Sequence, residues 1–352
     1  MSNLSSSAFR DEQNQKSPYN RLDMVLYVYY VVMGIAVALG NCLIASAVLR
    51  YKALRQSKVH VLMMALSVAD ALNMMAQVLA AVHWIRLVLN GQSTRLVTAW
   101  YCLSRSHNLL WSFSQSQSTL MLSVVSLDRL VSVASPFNYL ALTSTWSWLL
   151  IGSAYVYTWA AAAVGFVLVY PSKFGPANVP LTCYTPAAYI MSGNKQYGRY
   201  WGGTPLIFSS LSIALYLAAW VVYRRGHSST GLRIASVEQQ RINKERRITK
   251  CLALSCICTF FLYMVPYLSA NVAVWVGAGP AAPWFAALLM FNPAANMFIY
   301  PLKIPEMKKA VLGMLVGKQM PSVLSLWSSP VAPWSGVQQP RHSEVSRPRR
   351  AF

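Results

Sequence analysis

Residues 24–49 read MVLYVYYVVMGIAVALGNCLIASAVL, a run without a charged side chain. A helix needs about 20 mostly apolar residues to cross the roughly 30 Å hydrocarbon core of a bilayer, and this run is long enough. Lipid forms no hydrogen bonds with the backbone. A segment that crosses the bilayer therefore has to pair its own N–H and C=O groups, as a helix does. The run therefore predicts a membrane-spanning helix.

Comparable apolar runs recur along the rest of the chain. They are too long and too continuously apolar for the short alternating strands of a membrane barrel. Together with the first run, the predicted spans are 24–49, 59–85, 101–131, 146–169, 201–223, 248–275 and 284–302. The sequence thus predicts an all-α membrane protein whose fold is a seven-transmembrane helix bundle.

The amino-acid composition also indicates a protein that is embedded in a membrane. Of 352 residues, 55% are hydrophobic and 11% are charged, which is more apolar surface than a soluble domain of this size can bury. The net charge of +21 could suit nucleic acid, but the basic residues flank the spans and are not gathered on a soluble module. The predicted partners are membrane lipids with anionic headgroups and cytosolic protein, and not nucleic acid.

Lysine and arginine are concentrated in short segments at alternate ends of the spans. Such segments stay on the cytoplasmic side of a membrane. They hold Arg50, Lys52, Arg55 and Lys58 after the first span, Arg224, Arg225, Arg233, Arg241, Lys244, Arg246, Arg247 and Lys250 after the fifth, and Lys303, Lys308, Lys309 and Lys318 after the seventh. An odd number of spans then places the N-terminal tail outside the cell, as expected for a multi-pass protein of the plasma membrane.

The segments around the bundle, 24–302, differ in composition. The extracellular tail 1–23 is polar, lacks the apolar core of a signal peptide, and carries a glycosylation sequon at Asn3. Residues 303–316 alternate apolar and basic side chains at helical spacing, which predicts an amphipathic helix at the inner membrane interface. Residues 317–352 mix Pro, Ser, Trp and Arg without a period and are predicted to form a disordered cytoplasmic tail.

Two of the six cysteines, Cys102 and Cys183, are predicted to lie on the oxidising outer side of the membrane. A disulfide bond between them is therefore predicted. The other four lie within spans without metal-ligand spacing, and are expected to be packing residues. They are Cys42, Cys251, Cys256 and Cys258.

Asp70 is the only acidic side chain in the middle of a predicted span, and a charged group in lipid is costly unless it is paired. Candidate partners at a comparable depth in the other spans are Asn41, Ser118, Asn292 and Asn296. A carboxylate among hydroxyl and amide oxygens suits a small hard cation, so one hypothesis is an allosteric sodium ion. The alternative is a structural hydrogen-bond network. No other cofactor or metal is predicted.

Five short motifs occur along the chain in the order in which rhodopsin-like receptors carry them. They are Gly40-Asn41, Leu66-Ser67-Val68-Ala69-Asp70, Asp128-Arg129-Leu130, Phe260 with Pro266, and Asn296-Met297-Phe298-Ile299-Tyr300. Over about residues 24–316 the chain resembles the rhodopsin-like (class A) G-protein-coupled receptors, and it is similar to the divergent serpentine chemoreceptors of nematodes. The resemblance implies a receptor that binds an extracellular ligand and activates a heterotrimeric G protein, and not an enzyme.

The chain departs from the pattern of that family in the last two helices. Met264 replaces the tryptophan expected two residues before Pro266, and Met297 replaces the proline of the last motif. Pro293 occurs one turn earlier than that proline. Since proline bends a helix, the bend is expected to move with it.

Two further departures concern the third helix. Cys102 lies 27 residues before Arg129, two more than in the family, so either this helix starts irregularly or the disulfide is offset. Arg246 stands where many members carry a glutamate that holds Arg129. Restraint of the inactive state is therefore expected to be weak or to use Glu245.

The resemblance also implies a switch near the cytoplasmic side. Ligand binding shifts a two-state bundle toward an open inner face, where Arg129 leaves Asp128 to meet a helix of the G protein. The residues to which the resemblance assigns this coupling and switching are Asp128, Arg129, Tyr216, Phe260, Pro266, Asn296 and Tyr300.

Trp111 stands where the amine receptors of the family carry an aspartate, and no acidic residue lines the outer half of any predicted span. A cationic amine ligand is therefore not expected. The residues expected to face the ligand are Trp84, Trp111, Ser112, Gln115, Tyr200, Tyr267 and Asn271. Such a set suits a neutral or weakly polar small molecule, or a peptide side chain. The alternatives are that the aromatic residues only pack, or that the basic outer loops bind an anion.

Two other classes of membrane protein share some of these features. A small secondary transporter would also carry an intramembrane acid and broken helices, but the sequence shows no inverted repeat. A membrane enzyme would need a constellation of acid and base groups, whereas His60, His83 and His107 are dispersed along the sequence without a carboxylate nearby. A non-signalling seven-helix protein is the remaining alternative.

Overall fold

A computed structural model of the protein describes residues 21–92, 95–183, 188–189, 192–227, 251–275 and 282–316. Nearly all of these residues are helical. The predicted sequon at Asn3, the basic loop with Glu245 and Arg246, and the predicted disordered tail lie outside the described residues.

The helices follow one another with short connections. They are α1 (Arg21–Arg50), α2 (Lys52–Arg55), α3 (Lys58–Leu89), α4 (Ala99–Leu103), α5 (Ser106–Ala134), α6 (Pro136–Ala141), α7 (Ser144–Val169), α8 (Lys195–His227), α9 (251–259, a π-helical turn Phe260–Met264, and Val265–Trp275), α10 (Ala282–Leu288), α11 (Phe291–Lys303) and α12 (Pro305–Val316). A 3₁₀ turn, Tyr170–Phe174, extends α7. The strands β1 (Leu96–Val97) and β2 (Val179–Pro180) pair antiparallel and tie two loops together.

Six helical segments of the described chain are long and apolar enough to cross a membrane. They are Asp23–Arg50, Lys58–Leu89, Ser144–Phe174, Lys195–Arg225, Cys251–Val272 and Trp284–Lys303. These segments coincide with the first, second, fourth, fifth, sixth and seventh predicted spans, and the protein is thus a helical protein of the membrane. The third predicted span, 101–131, corresponds to α5, which is not among these apolar segments.

α5 differs from the other long helices because it is polar and yet buried. Its 29 residues extend about 43 Å at 1.5 Å per residue, which exceeds the hydrocarbon thickness. Ser114 Oγ and Ser123 Oγ donate to carbonyl oxygens one turn earlier in the same helix, at 2.8 and 3.3 Å. Serine can satisfy its hydroxyl in this way without water. Because α3, α7 and α8 pack around α5, its polar side chains face neighbouring helices.

The third predicted span begins irregularly, which is one of the two expected alternatives. α4 ends at Leu103 and α5 begins at Ser106, so a short break separates the two helices. Asn108 Nδ2 donates to the Cys102 carbonyl oxygen at 2.9 Å and bridges the break. The two additional residues between Cys102 and Arg129 are accommodated by this irregular start.

Irregular helix geometry in α9, α10 and α11 occurs beside prolines. The π-helical turn Phe260–Met264 ends two residues before Pro266, whose ring displaces the carbonyl group one turn earlier. α10 and α11 are separated at residues 289–290. Pro293 lies in the first turn of α11, where its missing N–H is tolerated. The bend therefore lies beside Pro293, as expected.

α1 and α11 approach each other closely at Gly40. A Cβ atom at this position would lie 1.8 Å from Met297 Sδ, much closer than nonbonded atoms can approach. A small residue is therefore required for this helix contact. Asn41, the next residue, donates from Nδ2 to the Pro293 carbonyl oxygen at 3.4 Å. The Gly40-Asn41 motif thus joins α1 to α11.

The helix expected over 303–316 is present as α12. It follows α11 after Ile304, and its residues Met307 and Ala310 are fully buried. α12 packs against α1 and α11. The amphipathic character of α12 and its location at the inner membrane face remain predictions.

Candidate functional site

Asp128 and Arg129, near the C-terminal end of α5, form a fully buried ion pair. Arg129 Nη2 lies 2.5 Å from Asp128 Oδ2, and Arg129 Nε lies 3.2 Å from the same oxygen. Both side chains have an exposure of 0%. The guanidinium group is thus turned into the protein and away from solvent.

Tyr139, on the short helix α6, completes this ion pair. Its hydroxyl lies 3.1 Å from both Asp128 carboxylate oxygens and accepts a hydrogen bond of 2.9 Å from Arg129 Nη2. Lys58, at the start of α3, donates from Nζ to the Tyr139 carbonyl oxygen at 2.7 Å and lies 4.4 Å from the ring centroid. Because a buried ion pair stays favourable only when further hydrogen bonds satisfy it, α6 is part of the site. We call these four residues the arginine cage.

Asp70 lies at the centre of a second buried polar cluster. Ser118 Oγ on α5 donates to Asp70 Oδ1, and Asn296 Nδ2 on α11 donates to Asp70 Oδ2 at 3.2 Å. Asn296 Oδ1 in turn accepts a hydrogen bond of 2.5 Å from Ser255 on α9. The Asp70 cluster therefore joins α3, α5, α9 and α11.

Two of the predicted members of this cluster are buried beside it without contacting the carboxylate. Asn292 Oδ1 accepts a hydrogen bond of 2.9 Å from Thr259 Oγ1. Asn41 donates to the Pro293 carbonyl oxygen instead, and its Oδ1 has no hydrogen-bond partner among the described residues. The sequence therefore identified the right helices, but the structure brings only Ser118 and Asn296 onto Asp70.

The chemistry around Asp70 fits a small hard cation. Carboxylate and hydroxyl oxygens are the ligands that such cations prefer, and Asp70 and Ser118 place the two kinds side by side. Within the described ranges, no group of three or more His, Cys, Asp or Glu could hold a metal ion.

Some polar contacts of the bundle were not predicted. Ser255 and Thr259 lie one turn apart on α9, and this spacing of four is a signal that could have found them. Ser126 Oγ and Ser212 Oγ, 2.9 Å apart, join α5 to α8. Tyr139 lies outside every predicted span, so intramembrane polarity gives no signal for it.

The other residues of the predicted switch are distributed around these contacts. Tyr216 on α8 and Tyr300 on α11 are buried, with exposures of 6% and 0%. Phe260, at the start of the π-helical turn, is 40% exposed and is therefore not enclosed within the bundle. Pro266 follows in the same helix.

The structure places the predicted ligand residues at several points of the bundle. Ser112 and Tyr200 line one small cavity between α5, α7 and α8. Trp84 instead donates from Nε1 to the Thr182 carbonyl oxygen at 2.6 Å, and the Tyr267 hydroxyl donates to the backbone of α8 at 2.6 Å. These two side chains therefore hold loop and helix backbone.

Three further members of that set are also outside the cavity. The Trp111 ring packs edge-on against Trp201, with ring centroids 6.0 Å apart. Asn271 donates to the Tyr267 carbonyl oxygen at 2.7 Å. Gln115 is buried, and its Oε1 has no partner among the described residues. The predicted set thus mixes packing residues with cavity residues.

Cys102 and Cys183 lie together in an apolar cluster at the loop end of α5. Both are fully buried, and the Cys102 thiol is in contact with that of Cys183. The structure contains both as thiols. The disulfide therefore remains a prediction, and the two side chains are adjacent.

The described helices thus surround a buried polar helix, α5, with an enclosed Asp-Arg pair near one end and a small cavity toward the other. The chain belongs to the family described as serpentine type 7TM GPCR chemoreceptor Srsx, whose sequence pattern matches residues 31–315. This match confirms the resemblance on which the sequence-based interpretation depended. The family is one of receptors and not of enzymes. No curated protein matches the chain.

Proposed function

We propose that this chemoreceptor crosses the plasma membrane seven times, binds an extracellular ligand and activates a heterotrimeric G protein. α5 is the third span in this proposal, because it is long enough to cross the bilayer and is surrounded by α3, α7 and α8. The basic segments after α1 and α11 then lie in the cytosol and the N-terminus lies outside.

The observation that carries the proposal is the arginine cage. A receptor that couples to a G protein needs a closed state and an open state of its inner face, with a ligand that binds the open state better. The guanidinium group of Arg129 is paired with Asp128 and hydrogen-bonded to Tyr139. We therefore assign the structure to the closed state. Opening the cage frees a guanidinium group, a strong donor for carbonyl or carboxylate groups of a docking helix.

The Asp70 cluster supports a connection between the two ends of the bundle. It joins α3 and α5 to α9 and α11, and the Ser126–Ser212 contact continues along α5 toward Arg129. A sodium ion beside Asp70 and Ser118 would hold these helices together. We therefore assign sodium as an allosteric ion that favours the closed state.

The ligand in this proposal is neutral or weakly polar and is not a cationic amine. Among the described residues, the acidic side chains are Asp23, Asp70, Asp128 and Glu306. Apart from Asp23 at the start of α1, none lies toward the loop end at which the cavity is found. A cationic ligand would therefore lack a buried counter-ion there.

A test of coupling does not need the ligand. Tyr139→Phe removes the hydroxyl from the arginine cage and should raise basal nucleotide exchange on a reconstituted G protein. Losing hydrogen bonds to charged groups costs about 1.5–3 kcal/mol, which shifts a two-state equilibrium by roughly ten- to hundredfold. Adding Arg129→Ala should abolish the exchange, because the coupling group itself is gone.

Arg55→Ala is the matched control for that experiment. Arg55 is an exposed arginine at the end of α2, and its Nη1 lies 3.4 Å from the Leu49 carbonyl oxygen. Its removal should leave exchange unchanged in the Tyr139→Phe background. Equal exchange with and without Arg129 would contradict the coupling role. Substrate flux without exchange on any class of G protein would favour the transporter alternative.

A further inference from the structure

A small cavity opens between α5, α7 and α8. Its enclosed volume is about 10 Å³, which is room for one water molecule. Its polar and aromatic lining includes Ser112, Ser116, Tyr157, Tyr200, Trp201 and Thr204. Among the described residues that line it, none is charged. The cavity therefore suits an uncharged molecule that can form hydrogen bonds.

Trp201 supplies a hydrogen-bond donor that is not used. Its side chain is 4% exposed, and its Nε1 has no partner within the described part of the chain. An indole N–H can only donate, and leaving it unpaired in a buried place costs free energy. The rings of Trp111 and Tyr189, with centroids 6.0 and 6.5 Å away, hold the indole in place. A ligand with an acceptor oxygen would satisfy this donor.

The mouth of the cavity lies on a face that is directed away from the bundle. Tyr157 on α7 and Tyr200 on α8 are each 41% exposed, and their hydroxyl oxygens are 2.6 Å apart. Trp159 and Ile207, near them on the same two helices, are 57% and 65% exposed, as expected for side chains in lipid. On the loop side, Tyr189 is fully buried, and its ring centroid lies 6.5 Å from that of Trp201. The exposed hydroxyl pair thus lies on the lipid-facing side of the cavity.

We propose that this cavity is the ligand site of the receptor and that the ligand reaches it from the lipid. The occupant is an uncharged, membrane-partitioning molecule with a carbonyl, ester or ether oxygen, which passes between Tyr157 and Tyr200 and accepts a hydrogen bond from Trp201. This inference rests on the proposed receptor function and names its ligand class. The enclosed space has room for only about one water molecule, far less than usual ligand sites, so the occupant has to part the two tyrosines to enter.

Occupation of the cavity has a route to the arginine cage. The Phe208 ring on α8 packs edge-on against Tyr157, with centroids 5.8 Å apart. The Phe208 carbonyl oxygen accepts a hydrogen bond of 2.6 Å from Ser123 Oγ on α5. Movement of the tyrosine pair therefore displaces α8 against α5 at Ser123. This residue lies less than two helical turns before Arg129 on α5.

The test uses the purified full chain in phosphatidylcholine vesicles and a photoreactive probe. The probe is a medium-chain alkyl ketone that carries a diazirine, and its control is the alkane with the same diazirine. After irradiation, labelled residues are located by peptide mass spectrometry. The ketone should label α7 and α8 around the cavity. Tyr157→Phe, which removes the hydroxyl pair, should speed this labelling.

Two further variants test the site itself. Ser116→Leu fills the cavity and should remove most of the ketone labelling, whereas Ser153→Leu, on the exposed face of α7, should leave it unchanged. Trp201→Phe should weaken ketone labelling about tenfold, the effect of roughly one hydrogen bond, and leave alkane labelling unchanged.

Equal ketone labelling of wild type and Ser116→Leu would overturn the site, and equal labelling by ketone and alkane would overturn the acceptor requirement. These measurements contain no G protein. A receptor that binds the ketone in the cavity but fails the nucleotide-exchange test would therefore refute the proposed coupling and leave the site standing.

Discussion

Asp70 is fully buried where α3, α5 and α11 meet, and its carboxylate is contacted by one hydroxyl and one amide. Two neutral donors offset only part of the cost of burying a charge. In the proposed sodium site, a bound ion would supply the missing compensation, because it would bring the opposite charge into the cluster. The ionised carboxylate and the ion would then stabilise each other.

Asp70→Asn should therefore remove the effect of sodium on stability. The amide keeps the size of the side chain but loses the charge that holds the ion. Wild-type receptor should unfold at a higher temperature in sodium chloride than in choline chloride. The gain in unfolding free energy is about 2.7 kcal/mol when sodium is at a hundred times its Kd. Asp23→Asn, outside the cluster, is the control and should retain the difference. A sodium effect that survives in Asp70→Asn would show that the cluster is structural only.

Among single residues, the sequence best predicts the polar side chains that lie within apolar membrane spans. Asp70 and Asn296 lie in apolar spans, where the free-energy cost of a polar group in lipid makes them conspicuous in the sequence. Tyr139 lies between the predicted spans, where a tyrosine has no unusual energetic cost, and its role depends on how the short helix α6 folds back onto α5. Such long-range contacts carry no local signal in a single sequence.

Among the helices, the contact of α1 with α11 depends on the absence of a side chain at Gly40. Gly40→Ala places a Cβ atom where Met297 Sδ lies, so the helices must separate or the methionine must change rotamer. Overpacking of this kind costs about 1–3 kcal/mol. The variant should therefore unfold at a lower temperature than the wild type.

Met297→Ala in the same chain should restore part of the lost stability, because it vacates the space. A double-mutant cycle of unfolding free energies would then give a favourable coupling between the two positions. Gly152→Ala, where nothing lies within 4 Å of the new Cβ atom, is the matched control. Additive effects of the Gly40 and Met297 variants would contradict the contact.

Hydropathy predicted six helices well because lipid contact selects apolar side chains around much of their circumference. The same logic misplaced the start of the third, since the break between α4 and α5 depends on Asn108 reaching back to Cys102. The bend beside Pro293 could be predicted because proline acts locally. The ligand residues stay a prediction, because aromatic side chains that pack and those that line cavities occur at the same helical spacing.

For the molecule as a whole, the loops at one end are tied together by β1, β2 and the cluster around Cys102 and Cys183. If the two thiols form a disulfide, either single alanine substitution should lower surface expression equally, and the double substitution should add little. Loss of such a bond costs about 2–5 kcal/mol. Cys42→Ala, within α1, should have no comparable effect. Full labelling of both thiols in the native, unreduced protein would contradict the disulfide.

The polarity of α5 has a consequence for biogenesis. A serine-rich helix partitions poorly into lipid by itself, so its insertion during synthesis has to depend on the apolar helices made before and after it. A chain that ends after α5 should leave this segment largely outside the bilayer, and a chain that continues through α7 should insert it. Glycosylation sites engineered after Ala134 and after Val169 would report the difference. Insertion of α5 in the shorter chain would show that it enters the bilayer unaided. Insertion only in the longer chain would show that the third span of this receptor is set by its neighbours and not by its own composition.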